Sequence, residues 1–189
     1  MRLWTVQHHG AVPVLEKSGL LTGDWSRVAS GLRPGYELML AEMRRRGIDS
    51  AGRPPVWAWA GPDSRDGRVL ETARSLLSPL EWEQGVVVLD LEVPDELVVT
   101  SAYGWWNDVL AAVLSGEPLP SMDFSTGPED EREDEFRIQA VLPLVRLDWV
   151  RTSRPLEPPA DLVEAWPNLR AQPFGPTAAA PNGAARSAG

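Results

Sequence analysis

The chain of 189 residues contains no cysteine, two histidines and no long hydrophobic run. The absence of cysteine excludes disulfides, thiolate metal sites and a cysteine nucleophile, and it fits a bacterial cytoplasmic protein. No stretch approaches the roughly 18 consecutive apolar residues of a membrane helix. Residues 1–10 do not resemble a signal peptide, because they contain no apolar run and no small-residue cleavage site. We therefore predict a soluble, cytoplasmic protein that does not bind membranes.

Basic residues are scarce relative to acidic ones, with 18 Lys and Arg against 27 Asp and Glu and a formal net charge of -9. Binding to a phosphate backbone depends on clustered Lys and Arg, so nucleic acid is not an expected partner. The acidic run at 129–135 lacks the glycine-supported turn and alternating ligands of a calcium loop. It predicts a solvated loop rather than a metal site.

The two histidines, His8 and His9, are adjacent and follow a predicted first strand. Neighbouring side chains on an extended chain point to opposite faces, so the pair is poorly placed to bind one metal ion. We expect both in the loop just past the strand. Contact of a single histidine with a ligand remains an alternative.

Tryptophan, in contrast, is abundant: nine residues are spread along the chain, a distribution typical of core packing. Trp57 and Trp59 alternate with small residues and therefore share one face of a predicted strand. Two interpretations stay open for this pair, namely packing in the core and stacking on the ring of a ligand.

Short strands and helices alternate along the first three quarters of the chain. Apolar periodicity predicts strands at 2–7, 56–60, 86–93 and 136–145, and helices at 13–18, 36–46, 69–77 and 105–116. Prolines recur from Pro155, and residues 177–189 are a mixture of Ala, Gly, Pro and Ser. We predict one α+β domain at 1–152, a Pro-rich extension at 153–170 that packs on the domain or is partly ordered, and a disordered tail at 171–189.

The opening Leu3-Trp4-Thr5-Val6-Gln7, followed by a helical stretch and Gly19-Leu20-Leu21, resembles the ADP-ribosyltransferase-like families. Those families begin with an aromatic-His-Xaa-Thr strand, a helix and a Gly-Leu-Leu turn that lines the NAD pocket. The later blocks 55–59, 86–94 and 137–150 follow in the matching order, and the likeness is to the DNA-modifying toxin branch. Up to about Val150 the chain also resembles an uncharacterised bacterial family that begins Trp-Thr-Ile-Gln and contains Trp-Ala-Trp and Ile-Gln-Ala blocks.

The resemblance implies an ADP-ribosyltransferase-like split β-sheet core with flanking short helices and NAD as a substrate. It places Gln139 at the position of the catalytic Glu, Thr5 at that of the NAD-gripping His, and Gln7 at that of a Thr. A Gln keeps the hydrogen bond but lacks the charge that stabilises the oxocarbenium-like transition state, a loss that typically costs about 10²–10³ in rate. Further ligand-binding candidates are Asp24, which follows the Gly-Leu-Leu turn, Trp57, Trp59 and Tyr103.

Two functions remain open from the sequence. In the first, the domain binds NAD or a nucleotide in a cleft between split sheets, with Thr5, Gln7 and Gln139 facing it. If the domain is an enzyme, the resemblance implies a glycosyltransferase of the ADP-ribosyltransferase type. In the second, the same fold is a non-catalytic interaction or regulatory module whose Trp-rich face and acidic loop meet a protein partner. Phosphate loops, nucleophile elbows and His-Glu-Xaa-Xaa-His motifs are absent from the sequence.

Overall fold

The computed structural model describes residues 1–61, 67–127 and 137–164. The strands are β1 (Arg2–His8), β2 (Leu20–Leu21), β3 (Val56–Ala60), β4 (Val86–Glu92), β5 (Val99–Ala102), β6 (Ile138–Leu142), β7 (Val145–Arg146) and β8 (Val150–Leu156). The helices are α1 (Ala11–Ser18), α2 (Arg33–Arg45), α3 (Gly67–Leu76), α4 (Pro79–Glu83) and α5 (Tyr103–Ser115), and residues 160–164 are also helical. The predicted α+β class is confirmed.

A six-stranded sheet in the order β5-β6-β3-β1-β4-β8 forms the centre of the fold, and β2 and β7 form a separate two-stranded ribbon. All neighbouring strands in both sheets are antiparallel. The helices flank this sheet, so secondary structure is layered around one core in the usual way.

The central sheet is divided by a short ladder between β1 and β3. These strands pair only at Leu3 with Ala60 and at Trp4 with Trp59, whereas β1 pairs with β4 along its whole length. Beyond Trp4 the backbones of β1 and β3 no longer pair. The sheet therefore consists of two three-stranded halves, β5-β6-β3 and β1-β4-β8, joined at one end.

The two faces of the sheet are covered by different elements, because successive strand residues point to opposite sides. The ribbon face carries Leu3, Ala58, Leu89 and Ala140, which share a cluster with the ribbon residue Val145. The helix face carries the residues that pack against α2, α3 and α5. These include Trp4, Trp59 and Val88 in one cluster with Val69 of α3, and Val99 and Val141 in another with Met39 of α2 and Trp106 of α5.

Several boundaries differ from the sequence prediction. Pro143 interrupts the strand predicted at 136–145: β6 ends at Leu142 and β7 begins only at Val145, because a proline cannot donate to a ladder. His8 belongs to β1 rather than to the following loop, so that part of the histidine prediction was wrong. The predicted domain boundary at 152 falls within β8, which pairs with β4. The acidic run at 129–135 and the predicted tail at 171–189 lie outside the described residues.

Candidate functional site

Gln139, the predicted catalytic residue, lies in the middle of β6 with its side chain on the helix face. It is paired in register with Trp59 on one side and Ser101 on the other. Its Nε2 atom donates a hydrogen bond to Ser101 Oγ at 3.0 Å, and the residue is 1% exposed. The amide is therefore buried, and its nitrogen is hydrogen-bonded within the protein.

Thr5 and Gln7 lie on the opposite, ribbon face of the sheet, alternating with Trp4 and Val6 along β1. Thr5 Oγ1 donates to the carbonyl oxygen of Trp57 at 2.7 Å and accepts from Gln7 Nε2 at 2.8 Å. The β-sheet separates Thr5 and Gln7 from Gln139. The three residues therefore do not face one cleft, as the sequence had predicted. The Thr5 hydroxyl instead bridges β1 and β3 where their ladder has ended.

Trp57 and Trp59 share the helix face, as their alternation predicts, and both pack in aromatic clusters. The Trp57 ring lies 4.5 Å from that of Trp106 and 5.7 Å from that of Tyr36. The Trp59 ring stacks on Trp4 at 5.9 Å and meets Tyr103 edge-on at 5.0 Å. These distances are between ring centroids, and they show that both indoles pack against other aromatic rings of the core.

Tyr103 begins α5 and is half-buried beside Trp59. Burial raises the pKa of its phenol, an effect that a hydrogen bond with Asn107 and the charge of Arg137 partly oppose. The group is thus held neutral at physiological pH and is suited to hydrogen bonding rather than to proton abstraction.

Asp24 is exposed and caps the short 3₁₀ turn Trp25–Arg27. Its Oδ1 atom accepts from the backbone N–H of Ser26 at 2.8 Å, and hydrogen bonds from Ser26 lower the pKa of the carboxyl. Asp24 is therefore a structural residue that fixes the turn carrying Arg27. That turn matters because Arg27 lines a cavity that none of the predicted site residues lines.

The cavity has a volume of about 300 Å³ and lies at the C-terminal end of β1, where β1 and β3 are no longer paired. Its lining combines polar and apolar side chains: His8, Arg27, Leu77, Glu81, Gln84 and Val86. Polar groups that converge beside apolar surface are typical of small-molecule sites. The cavity is the concave site that we consider as the functional one.

His8 is held in one orientation at the cavity wall. Its Nδ1 atom accepts a hydrogen bond from the backbone N–H of Gly10 at 2.9 Å, so in the neutral ring the hydrogen is on Nε2. The Nε2 atom is buried and makes no hydrogen bond within the described parts of the chain. A Cβ atom at position 10 would lie 2.9 Å from Nδ1, which shows how closely the ring packs over Gly10.

Helix α4 contributes the other polar groups through a capping box at its N-terminus. Glu81 Oε2 accepts from both the backbone N–H and the hydroxyl of Ser78, each at 2.8 Å. This fixes Glu81 in the first turn, and Gln84 follows directly after the helix. The Ser-Pro-Leu-Glu sequence is a recognisable capping signal, but the sequence prediction missed α4. Nothing in the sequence alone places α4 beside His8.

No helix in the described ranges is long and apolar enough to cross a membrane. The described residues also contain no group of three or more His, Asp or Glu side chains arranged to hold a metal ion.

Comparison with known proteins gives a match to a family model but none to an individual protein. No curated protein and no solved structure matches the chain. The profile of the family described as "Domain of unknown function (DUF3841)" matches residues 2–116, which is more than half of the chain. The protein is therefore a member of the DUF3841 family.

Proposed function

We propose that this domain binds NAD or a nucleotide at the open end of its divided sheet. The observation that carries the proposal is the position of the cavity, which lies where β1 has separated from β3 and is lined by His8 and Arg27. A division of the sheet is also what the resemblance to ADP-ribosyltransferases implies, and it supports an ADP-ribosyltransferase-like core as part of the proposal.

The proposed activity is binding rather than carboxylate-assisted transfer. Gln139 carries no charge, is buried and donates its amide hydrogen to Ser101. Such a group has no access to a ligand in the cavity and cannot stabilise the positive charge that develops as nicotinamide leaves. A ligand in the cavity would instead be bound without being converted to a product. Binding without reaction suits a sensing or regulatory module.

The test combines binding with product analysis. Thermal unfolding is followed with NAD, ADP-ribose, AMP and ATP at millimolar concentration, and nicotinamide release from NAD is followed by chromatography. A ligand at a hundred times its Kd adds roughly 2.7 kcal/mol to the free energy of unfolding, which corresponds to an increase in Tm of about 5–10 °C at this size.

We expect such an increase with at least one of these compounds and no nicotinamide release. No increase with any of them would overturn the proposal and favour the alternative of an interaction module without a small ligand. Nicotinamide release abolished by a Gln139→Ala substitution would overturn the non-catalytic part alone.

A further inference from the structure

We propose that residues 119–126, named the strap, occupy a peptide-binding groove of their own chain, and that this groove also accepts an extended segment of a partner protein. The groove lies between α2 and β5, with Arg46 on one wall and Thr100 on the other. The segment that fits it has the pattern apolar, acidic, apolar. No strap residue lines the cavity, so the inference is independent of the proposed nucleotide site.

The strap lies on the domain in the way an extended peptide lies on a receptor. It contains no helix or strand, and its burial alternates: residues 120, 122, 124 and 126 are half-buried, whereas 119, 121, 123 and 125 are exposed. A period of two is typical of an extended chain with one side against a surface. The strap makes no backbone–backbone hydrogen bond with any other described residue. Side-chain contacts on one side therefore hold it in place.

The floor of the groove is apolar. Met122 and Phe124 pack on the hydrophobic cluster that contains Met39 and Met43 of α2 and Val99 of β5. Asp123, between the two apolar residues, is exposed. The groove therefore selects two large apolar side chains two positions apart and leaves the residue between them in solvent.

Two side-chain donors on the walls bind the backbone of the strap. Arg46 Nη2 donates to Phe124 O at 2.7 Å, and Thr100 Oγ1 donates to Thr126 O at 2.6 Å. The two carbonyl groups belong to alternate residues, which is also the spacing at which an extended chain presents carbonyls to a neighbouring strand. Main-chain bonds of this kind give affinity for any extended segment, and the contacts of alternate side chains give specificity.

Arg46 is held in position by a buried carboxylate. Its Nε atom donates to Glu42 Oε1 at 2.7 Å, and Glu42 is 8% exposed. The guanidinium is planar and rigid, so this bond also fixes the direction of its remaining donors. Arg45 is bonded to the same carboxylate but not to the strap. Arg45 is therefore a matched control for the role of Arg46.

The covalent connection makes the strap a strong competitor for the groove. A tethered segment binds intramolecularly, at an effective concentration that reaches about mM for short flexible connections. A partner peptide binds only the fraction of molecules in which the groove is open, so its apparent affinity is reduced by that fraction. Weakening the strap should therefore increase the affinity for an added peptide, an effect that a loop with a purely structural role would not have.

The first experiment measures fluorescence anisotropy of a labelled synthetic peptide with the sequence of residues 118–127. The full-length chain is used as wild type, as the strap variant Met122→Ser with Phe124→Ser, and as a control with Val14→Ser and Leu114→Ser, two exposed apolar positions outside the strap. A second peptide carries Ser in place of both Met and Phe. We expect the strap variant to bind the first peptide with a Kd lower by roughly tenfold or more than wild type and the control chain, and to bind the second peptide no better than they do.

The second experiment measures chymotrypsin cleavage after Phe124, which requires the strap to leave the groove. Cleavage after Trp106, which is 5% exposed, reports global unfolding in the same digest. Fast local opening makes the cleavage rate follow the open population. We expect Arg46→Gln to raise the ratio of the two rates by roughly tenfold, and Arg45→Gln to leave it within about twofold. This measurement also decides the question if circular dichroism shows that the strap variant does not fold.

Three results would overturn the inference. Equal affinity of the strap variant and wild type for the peptide would mean that the strap does not occupy the binding surface. Equal affinity for the two peptides would exclude the apolar floor as the binding site. Equal cleavage ratios in the Arg46 and Arg45 variants would exclude Arg46 as the residue that holds the strap. Light scattering of Arg46→Gln, which keeps the strap sequence, should show a monomer, and a dimer would assign the groove to a second copy of this chain instead of a different protein.

Discussion

Gln139 and Ser101 form a buried hydrogen-bonded pair on adjacent strands, with 3.0 Å between Nε2 and Oγ and each residue 1% exposed. A Gln139→Glu substitution would place a carboxyl group in this site, where burial raises its pKa and favours the protonated form. At neutral pH we expect the variant to be destabilised by about 3 kcal/mol, the order of magnitude for an uncompensated buried charge.

The pH dependence of the Gln139→Glu penalty follows from that raised pKa. The folded state retains the proton more strongly than the unfolded state, so the penalty is small at pH 4 and grows as the pH rises through the folded pKa. Urea unfolding at pH 4 and pH 8 measures it, with Gln84→Glu at an exposed position as the control. A penalty independent of pH would contradict the assignment of Gln139 as buried and uncharged.

Thr5 joins the two halves of the sheet where their backbones separate, through its hydroxyl bond to Trp57 O. We expect Thr5→Val, which conserves shape, to lower the free energy of unfolding by about 1–3 kcal/mol because the half-buried carbonyl of Trp57 loses its donor. The control is Thr22→Val, whose hydroxyl makes a longer, exposed bond of 3.3 Å with Arg53. Denaturant titration would contradict the bridging role if the two variants lost equal stability.

Glu42 on α2 is 8% exposed and accepts hydrogen bonds at 2.7 Å from both Arg45 and Arg46. The bond from Arg45 is the largest cause that lowers the pKa of its carboxyl from 4.5 to about 2. Since the folded pKa is depressed, the stabilisation is present above pH 4.5 and is lost as the pH falls through about 2. We expect Glu42→Gln to cost about 2 kcal/mol at pH 7, with the difference from wild type shrinking towards pH 2. The exposed Glu37→Gln serves as the control, and an equal loss at pH 7 and pH 2 would argue against the ion pair.

The capping box of α4 links stability to the cavity. Ser78→Ala removes the hydroxyl bond to Glu81 and should cost about 1 kcal/mol of folding free energy. Because Glu81 also lines the cavity, the same variant should weaken binding of the nucleotide that the proposed function assigns to it. Ser75→Ala, which removes an exposed helix hydroxyl bonded to Thr72 O, is the matched control in both measurements. Equal nucleotide affinity in the two variants would show that the cap does not affect the site.

Strong local patterns made part of the fold predictable. The span of β3 was predicted at its exact bounds, because alternating tryptophans between prolines and a glycine mark a strand clearly. Strands β5 and β8 were missed for physical reasons. The first is four residues long and buries polar Thr100 and Ser101, and the second is a largely exposed edge strand containing Pro155.

The candidate site was harder to predict because it depends on register and on distant contacts. The sequence gives the alternation within β1 and within β6, but only the pairing of strands decides that Thr5 and Gln139 point to opposite faces. His8 and Glu81 meet at the cavity although more than 70 positions separate them. The capping motif of α4 can be recognised locally in the sequence. No local pattern indicates that α4 lies beside His8.

The order of strands in the sheet also has a consequence for synthesis on the ribosome. Strand β6 lies between β5 and β3, yet it follows β5 only after residues 103–137 have been translated. At roughly 5–20 residues per second, β3 and β5 wait several seconds with their hydrogen-bonding edges unpaired. The stretch matched by the family profile ends at residue 116, before β6 is made, so a nascent chain of that length lacks the strand that completes its half of the sheet. During this interval of synthesis, a chaperone would have exposed strand edges to protect.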